Sequence, residues 1–520
     1  MKVSVVVPVY NPGSNIDECI RSLLEQSLPA DDYEAIFVDD GSTDGTAARL
    51  DELAERHPQV RVAHIPNSGW PGRPRNVGIE MARGDYVYFV DNDDWIGPEA
   101  LERLYATALR DEADVVIGKV VGHGRRTSRP LFRRNRKGLG IDTPLLLAML
   151  TPHKLFRRAF LDEHGIRFPE GRVRLEDHVF VVHAYLHTHR VSILADYPCY
   201  HWVLHSEDSN ASSGQLEPVG YFENLRQVLD LVDEHVEPGP LRDRLYAHWY
   251  RTKLLGRVGG PAFLRRDPGY GRELYGEIRC LALERFGEGS ERYLAFPTRL
   301  RALLLRADRV DGLESLARLE GGLRARVRLL ELETGERGLE LRLRAGVVGR
   351  ALPLRFARRG ERILLAPPGD LAGALPEERL DATKPVSRSK VDVMLRSPKR
   401  GEFLVRAPAE LELEPAEGGV DGEVEPVLAA HVAIDAGTAA AGRPLTPGDW
   451  ELHARVTVGG FQAEQPIRHP GSRTPLVMRV PEEGDVRVLG IPAATLGRRL
   501  MFQLARARRA LRRRRRLRSA

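Results

Sequence analysis

Four stretches in the first 180 residues carry side chains suited to group-transfer chemistry. Asp39-Asp40 ends an apolar run and leads into GSTDGT (41–46). A carboxylate at a strand end beside a glycine turn can accept from an imide N–H or a ribose hydroxyl, or can cap the next helix. DNDD (91–94) sets Asp91 and Asp93 in an i, i+2 relation, so both can point the same way. Such a pair suits Mg2+ or Mn2+ with diphosphate oxygens completing the shell, although an acidic helix start has the same pattern. NSGWPGRPRNV (67–77) supplies Gly69 and Gly72, where backbone can approach a ligand, and Arg75, whose guanidinium pairs with phosphate oxygens. LEDHVF (175–180) puts Glu176 and Asp177 before an apolar helix. A carboxylate there serves as general base on an acceptor hydroxyl, or only as an acidic cap.

The elements that position these groups alternate between two periods. VSVVVPVY (3–10), EAIFVDD (34–40), VRVAHIP (60–66), YVYFVDND (86–93) and ADVVIGKVVG (113–122) read as strands. Helical spacing joins Ile16, Ile20, Leu23 and Leu24, then Ala47, Leu50, Leu53 and Ala54, and Pro98 opens another helix through about Leu109. This order predicts a mostly parallel sheet with helices on both faces, its ligands bound beyond the carboxyl ends of the strands. Asp39-Asp40, Asn67 and Asp91–Asp94 fall at those ends, after the second, third and fourth strands. From about 217 to 319 the pattern is helical. After about 324 it becomes short alternating segments with Gly, Pro and Asp turns, as in an antiparallel sandwich.

The 520 residues imply two to four domains. Hydrophobic residues at 42% and charged residues at 29% fit a soluble globular chain. No apolar run approaches a membrane span, MKVSVVVPVYN has no basic region of a secretory leader, and Cys19, Cys199 and Cys280 form no disulfide framework. The expected location is the cytoplasm. The net charge is +5, yet 11 Arg and no acid lie from Arg498 onward; the remainder holds 67 basic against 73 acidic residues. A mildly acidic body argues against a nucleic-acid partner. Leu496, Leu500, Leu504, Ala507 and Leu511 give the tail an apolar side, suited to an anionic leaflet or a polyanionic polymer. A second basic cluster, Arg125, Arg126, Arg129, Arg133, Arg134, Arg136 and Lys137, is expected to face a polyanionic acceptor.

VVPVYN, DDGSTDGT, the Arg75-Asn76 helix, FVDNDD and LEDHVF occur together in an order and spacing that resembles the inverting GT-A glycosyltransferases of family two, over residues 1–215. NSGWPGRPRNV, TPHKLFRRAFL, EDHVFVVHAYLHTHRVSILADYPCY and NASS look, more narrowly, like the poly(ribitol-phosphate) N-acetylglucosaminyltransferases of wall teichoic acid. The resemblance implies an α/β GT-A (Rossmann-like) catalytic domain at 1–215, a helical linker at 216–323, an all-β immunoglobulin-like sandwich at 324–494 used for homo-oligomerisation, and a basic tail at 495–520.

The same likeness implies a metal-dependent inverting transfer from a UDP-sugar, with N-acetylglucosamine as the expected sugar, to a hydroxyl of a cell-wall glycopolymer. The alternatives are another polysaccharide or lipid-linked acceptor, or a non-catalytic glycan-binding scaffold. Pro8 (through its backbone), Asp40 and Asn67 would bind uridine, Arg75 phosphate or sugar, and Asp91 and Asn92 ribose or donor sugar. Asp93, with Asp91, would hold Mn2+ or Mg2+. Asp177 would be the base, with Glu176 the weaker candidate. The family's later basic residue would fall at His205 or Ser206 and its diphosphate-side histidine near Asn210, where this chain reads HWVLHSEDSNASS; His201 and His205 are the imidazoles at hand.

Overall fold

The computed structural model describes residues 1–490 apart from 125–126, 128–129, 205–215, 351, 369–370 and 399–400. The N-terminal part is built on one nine-stranded sheet. Its first half consists of β1 (Val3–Val9), β2 (Tyr33–Asp39), β3 (Val60–His64) and β4 (Tyr86–Phe89), all parallel, in the order β3-β2-β1-β4. Every residue of β1, β2 and β4 is buried, which explains why their runs are mostly apolar; the buried exceptions Ser4 and Glu34 pair with each other, Ser4 Oγ donating to Glu34 Oε1. Chain order reverses between β1 and β4, so the crevice at their carboxyl ends is the switch point where such sheets bind ligands.

The second half departs from the parallel expectation. β8 (Leu155–Arg157) lies antiparallel between β4 and β6 (Val115–His123), while β6 pairs in parallel with β9 (Val191–Val203). β5 (Trp95–Ile96) and β7 (Arg136–Leu139) also run antiparallel to β9. Strands of two to four residues are too short to show a period, so the sheet is mixed where the sequence pattern suggested mostly parallel.

Helices α1 (Ile16–Leu24), α2 (Thr46–Arg56), α3 (Gly72–Met81), α4 (Ala100–Asp111), α5 (Arg158–Glu163) and α6 (Glu176–Leu186) complete this part. α3 lies so close to β1 that a Cβ at Gly78 would stand 2.2 Å from Val6 Cγ1. Gly78→Ala is therefore expected to cost about 1–3 kcal/mol through overpacking, read as a lower melting temperature. α6 is wedged in place by Phe180, whose ring stacks on Phe168 at 3.9 Å and meets Phe89 edge-on.

The helical segment runs from α7 (Pro218–His235) through α8 (Pro240–Trp249), a π-helical turn at Tyr250–Leu255, α9 (Gly260–Leu264), α10 (Pro268–Arg285), α11 (Glu288–Glu291) and α12 (Phe296–Arg306) to α13 (Val310–Gly322). It is joined to the sheet domain by fully buried Trp249, whose Nε1 donates to His178 Nδ1 on α6. Two antiparallel six-stranded sheets follow. One orders Leu323–Thr334, Gly338–Gly349, Glu423–Asp435, Arg355–Arg359 and Arg362–Ala366, with Ala409–Pro415 also on Glu423–Asp435. The other orders Gly401–Ala407, Lys390–Ser397, Gly448–Val458, Val477–Val480 and Arg487–Leu489, with Phe461–Pro466 also on Gly448–Val458. Strands of the two sheets interleave along the chain, and Gln465 Nε2 donates from one sheet to the Val327 carbonyl oxygen of the other.

Candidate active site

Two adjoining cavities open at the switch point. The smaller, about 260 Å3, is lined by Pro8, Tyr10, Asp40, Asn67, Gly69, Arg75, Asp91, Asn92 and Asp93 among others. All the residues expected from the sequence to hold a nucleotide-sugar thus meet in one place, drawn from the end of β1, from the segments that follow β2, β3 and β4 and, for Arg75, from α3. Their local bonds explain the motif spacing. Asp40, buried, accepts from Ser68 N at 2.8 Å and Ser68 Oγ at 2.9 Å, while Asn67 Nδ2 donates to the Asp40 carbonyl oxygen. Gly41 has φ +73°, and a Cβ there would sit 2.8 Å from Asn67 N, so the two loops touch only because that residue is glycine. Asn92 Nδ2 donates to the Pro8 carbonyl oxygen at 3.0 Å, tying β1 to the acidic loop.

The larger cavity, about 560 Å3, holds Glu176 and Asp177 and shares Trp70, Pro71, Arg75, Asp91 and Asp93 with the smaller. Arg75 is the hinge between them. Its buried guanidinium donates to Asp91 Oδ1 at 2.9 Å through Nη2 and to Glu176 Oε1 at 3.0 Å through Nη1. Trp70 Nε1 takes the other Glu176 oxygen at 3.0 Å, and His153 Nε2 meets Asp91 Oδ2 at 2.9 Å. Burial pushes the Asp91 carboxyl up, but the hydrogen bonds from His153 and Arg75 and the Arg75 charge outweigh it and hold it well below the usual carboxylate range. His153 is fully enclosed, and burial holds its imidazole below its ordinary value despite Asp91. The Asp91 carboxylate can only accept, so His153 Nε2 carries the hydrogen between them. Asn76, next to Arg75, donates to the Phe168 carbonyl oxygen and accepts from Phe168 N, which fixes the loop leading to α6.

Asp177 differs from its neighbour. Glu176 is held by two donors; Asp177 accepts only from the following backbone N–H, that of His178, among its hydrogen bonds on the described residues. Burial first, then the adjacent Glu176 carboxylate, push the Asp177 carboxyl up to about 7, against the pull of Lys253 and Arg75. Leu175, immediately before, is a non-glycine residue at φ +68°, a left-handed conformation costing about 1–3 kcal/mol and found where a site dictates backbone direction. Opposite stand Lys253, Arg257, Tyr221 and Tyr270 from the helical segment, with Arg174 and Trp202.

Sequence reasoning missed His153, Trp70 and the helical segment's side of the cavity. His153 sits in TPHKLF, conspicuous as a motif but with no second ligand or base nearby in sequence. Lys253 lies on an otherwise unremarkable amphipathic stretch, so only the fold reveals where it faces.

Two expectations are corrected. His201 does not reach this site: it stacks on Trp95 at 3.4 Å and bonds His123 at 2.9 Å, at the far side of β5 and β9. The basic cluster at 125–137 does not line the Asp177 cavity in its described members; Arg133 Nη2 instead pairs with buried Asp392 Oδ1 at 2.7 Å, clamping the sandwich to the sheet domain. Arg125, Arg126, Arg129, His205, Ser206, Asn210 and the arginine-rich tail lie outside the described residues.

Residues 4–171 match the family model "Glycosyl transferase family 2" and residues 218–317 match "Glycosyl transferase TarS linker domain". The chain is 36% identical over 234 residues to a poly(ribitol-phosphate) beta-glucosyltransferase of Bacillus spizizenii, covering 45% of this chain and 37% of that protein. It is 34% identical over 261 residues to the poly(ribitol-phosphate) beta-N-acetylglucosaminyltransferase TarP of Staphylococcus aureus, covering 49% of this chain and 79% of that protein. The chain thus spans under two fifths of the first of these relatives. The crystal structure of S. aureus TarS 1–349 in complex with UDP-GlcNAc superposes with TM-score 0.54 at 26% identity, over 66% of this chain and 96% of that one. The longer S. aureus TarS structure shares the fold over 95% of this chain and 86% of its own, with TM-score 0.53 at 18% identity.

Proposed function

This chain belongs to glycosyl transferase family 2, alongside the poly(ribitol-phosphate) glycosyltransferases, and we propose that it transfers a sugar from UDP to a hydroxyl of a polyol-phosphate polymer with inversion. The observation that carries the reading is the pair of cavities meeting at Arg75, Asp91 and Asp93, one lined by nucleotide-type residues and the other by an available carboxylate. UDP-N-acetylglucosamine is the donor we favour, from the complex of the TarS relative; UDP-glucose is the second reading, from the glucosyltransferase relative. We assign residues 1–215 to catalysis, 216–323 to the linker, 324–494 to the sandwich and 495–520 to the basic tail. No helix among the described residues is long and apolar enough to cross a membrane; action at the cytoplasmic side is our expectation.

In this reading the base and ribose sit against Asp40, Asn67, Asn92 and the β1 end at Pro8, with the half-exposed ring of Tyr10 available for stacking. Arg75 is already held by two carboxylates, so it positions Asp91 and Glu176 where the two cavities meet. Glu176, engaged by Arg75 and Trp70, is a positioning residue. Asp177 receives the proton of the acceptor hydroxyl, whose oxygen attacks the anomeric carbon from the side opposite UDP. A single displacement needs only this one base. Lys253, Arg257 and Arg174 give the acceptor side a cationic wall suited to a phosphate-bearing polymer.

The acidic edge fits a hard divalent cation. Burial, then the Asp91 and Asp93 carboxylates, push Asp94 up to about 8, a sign of negative charge crowded at this point. Asp93, which lines both cavities, would hold Mn2+ or Mg2+ beside Asp91; when bound, the ion offsets charge on the departing diphosphate. Both Asp91 oxygens already meet Arg75 and His153, so Asp93 is assigned the larger share. Asp93→Ala is expected to abolish the Mn2+-dependent thermal shift given by UDP-N-acetylglucosamine and to reduce transfer at least 100-fold. Full activity of this variant with metal chelated would reject the assignment.

A further inference from the structure

We propose that His183, His187 and His235 form a binding site for a transition-metal dication of the Zn2+ class, joining the sheet domain to the helical segment. His183 and His187 lie one turn apart at the end of α6, and His235 is the last residue of α7, which packs against it. One potential ligand atom from each of the three lies within 4.8 Å of the others. The rings are close without forming one stack: His183 and His187 centroids are 4.9 Å apart, His187 and His235 5.1 Å, at interplanar angles of 73° and 70°.

The second observation concerns their protons. His187 Nδ1 lies 2.9 Å from the His183 carbonyl oxygen, and His235 Nδ1 lies 2.9 Å from the Leu231 carbonyl oxygen. A carbonyl only accepts, so in the neutral ring each Nδ1 carries the hydrogen and each Nε2 keeps its lone pair. An imidazole anchored through one nitrogen and carrying a lone pair on the other is the usual form of a metal-binding histidine. All three residues retain exposure, so an ion can enter. Three imidazoles favour Zn2+, Ni2+ or Cu2+ over Mg2+ or Mn2+, and with three protein ligands a fourth position remains for water.

The site is separate from the transfer reaction. Asp177, in the first turn of α6, stands ten residues before His187, which caps the far end of that helix, roughly 15 Å away at ~1.5 Å per residue. An ion here would pin the far end of the helix that carries Asp177 to the first helix of the linker. It therefore acts on the junction and leaves the acceptor untouched.

The test uses the full chain, free of any histidine tag, with excess Mg2+ present to load the carboxylate cavity. Zn2+ is titrated in competition with a chromophoric chelator, and melting is followed with and without Zn2+. The wild type should bind one equivalent more than His183→Gln/His187→Gln. His235→Gln, at an exposed helix end where folding is not at risk, should weaken that equivalent at least about tenfold, and His235→Cys should keep it. The Zn2+-induced rise in melting temperature should vanish in both Gln variants. Equal stoichiometry, affinity and thermal shift in wild type and His235→Gln would overturn the proposal.

Discussion

Asp177→Asn is expected to lower kcat for sugar transfer by about 10²–10⁴-fold while leaving the KM for the UDP-sugar nearly unchanged. The amide keeps the shape of the side chain and its place at the head of α6 but cannot accept the acceptor's proton. Because the Asp177 carboxyl is pushed up to about 7, the wild-type rate should rise with pH through neutrality and then level. The groups that set this limb are Glu176 beside it, Arg75, Lys253, and buried Lys154, itself pushed down to about 7 by burial. In Asp177→Asn the limb should disappear. In Glu176→Gln it should persist, because Glu176 is held by Arg75 and Trp70 and acts through them. A limb lost in Glu176→Gln and retained in Asp177→Asn would reverse the two roles.

Stability should move the other way. A carboxyl whose folded pKa lies above its unfolded value binds more protons in the fold, so its contribution is fully present below about 4 and is lost as pH rises to about 7. Above pH 7 the wild type therefore carries a buried carboxylate that Asn does not. Asp177→Asn should melt no lower than wild type at pH 8, and its advantage should shrink toward pH 4. A large loss of stability at pH 8 would mean that the carboxylate is a structural partner and not a poised base.

Arg75→Met is the substitution expected to damage the fold most. It leaves Asp91 and Glu176 enclosed and without their shared cation, a loss of roughly 3–5 kcal/mol for breaking a buried ion network. For a domain of this size that is a fall of about 6–20 °C in melting temperature. Arg75→Lys should recover little, since a single ammonium cannot reproduce two separately directed N–H donors. Adding Glu176→Gln to Arg75→Met should return part of the loss by removing one unpaired charge. A melting temperature unchanged by Arg75→Met would show that the network is solvated and contributes no stability.

These effects indicate how much was legible in the residues themselves. β1, β2 and β4 were readable because burial on both faces keeps their runs almost wholly apolar, Ser4 and Glu34 being the paired exceptions. The carboxylates at their ends were readable because polar groups abruptly following such a run must be at a sheet edge. Arg75 was recognisable as functional, but its task was not: a guanidinium held by Asp91 and Glu176, 16 and 101 residues later in the chain, is a product of tertiary packing alone. β8 and β5 were too short to carry a period, and so the mixed half of the sheet was invisible. Arg133 of the basic cluster misled because charge composition does not say which face a side chain occupies; Asp392, 259 residues away, takes it. His201 misled for a similar reason, since β5 delivers Trp95 to its ring and removes it from the crevice.

The central claim is that one base on α6 drives a single displacement from a UDP-sugar. It is tested most directly by incubating the full chain with UDP-N-acetylglucosamine, Mn2+ and poly(ribitol-phosphate), and reading the anomeric configuration of the product by NMR. The donor sugar is α-linked to UDP, so inversion gives a β-linked N-acetylglucosamine on the polymer, formed with stoichiometric UDP release and lost in Asp177→Asn. An α-linked product, or a β-linked product made equally well by Asp177→Asn, would contradict it.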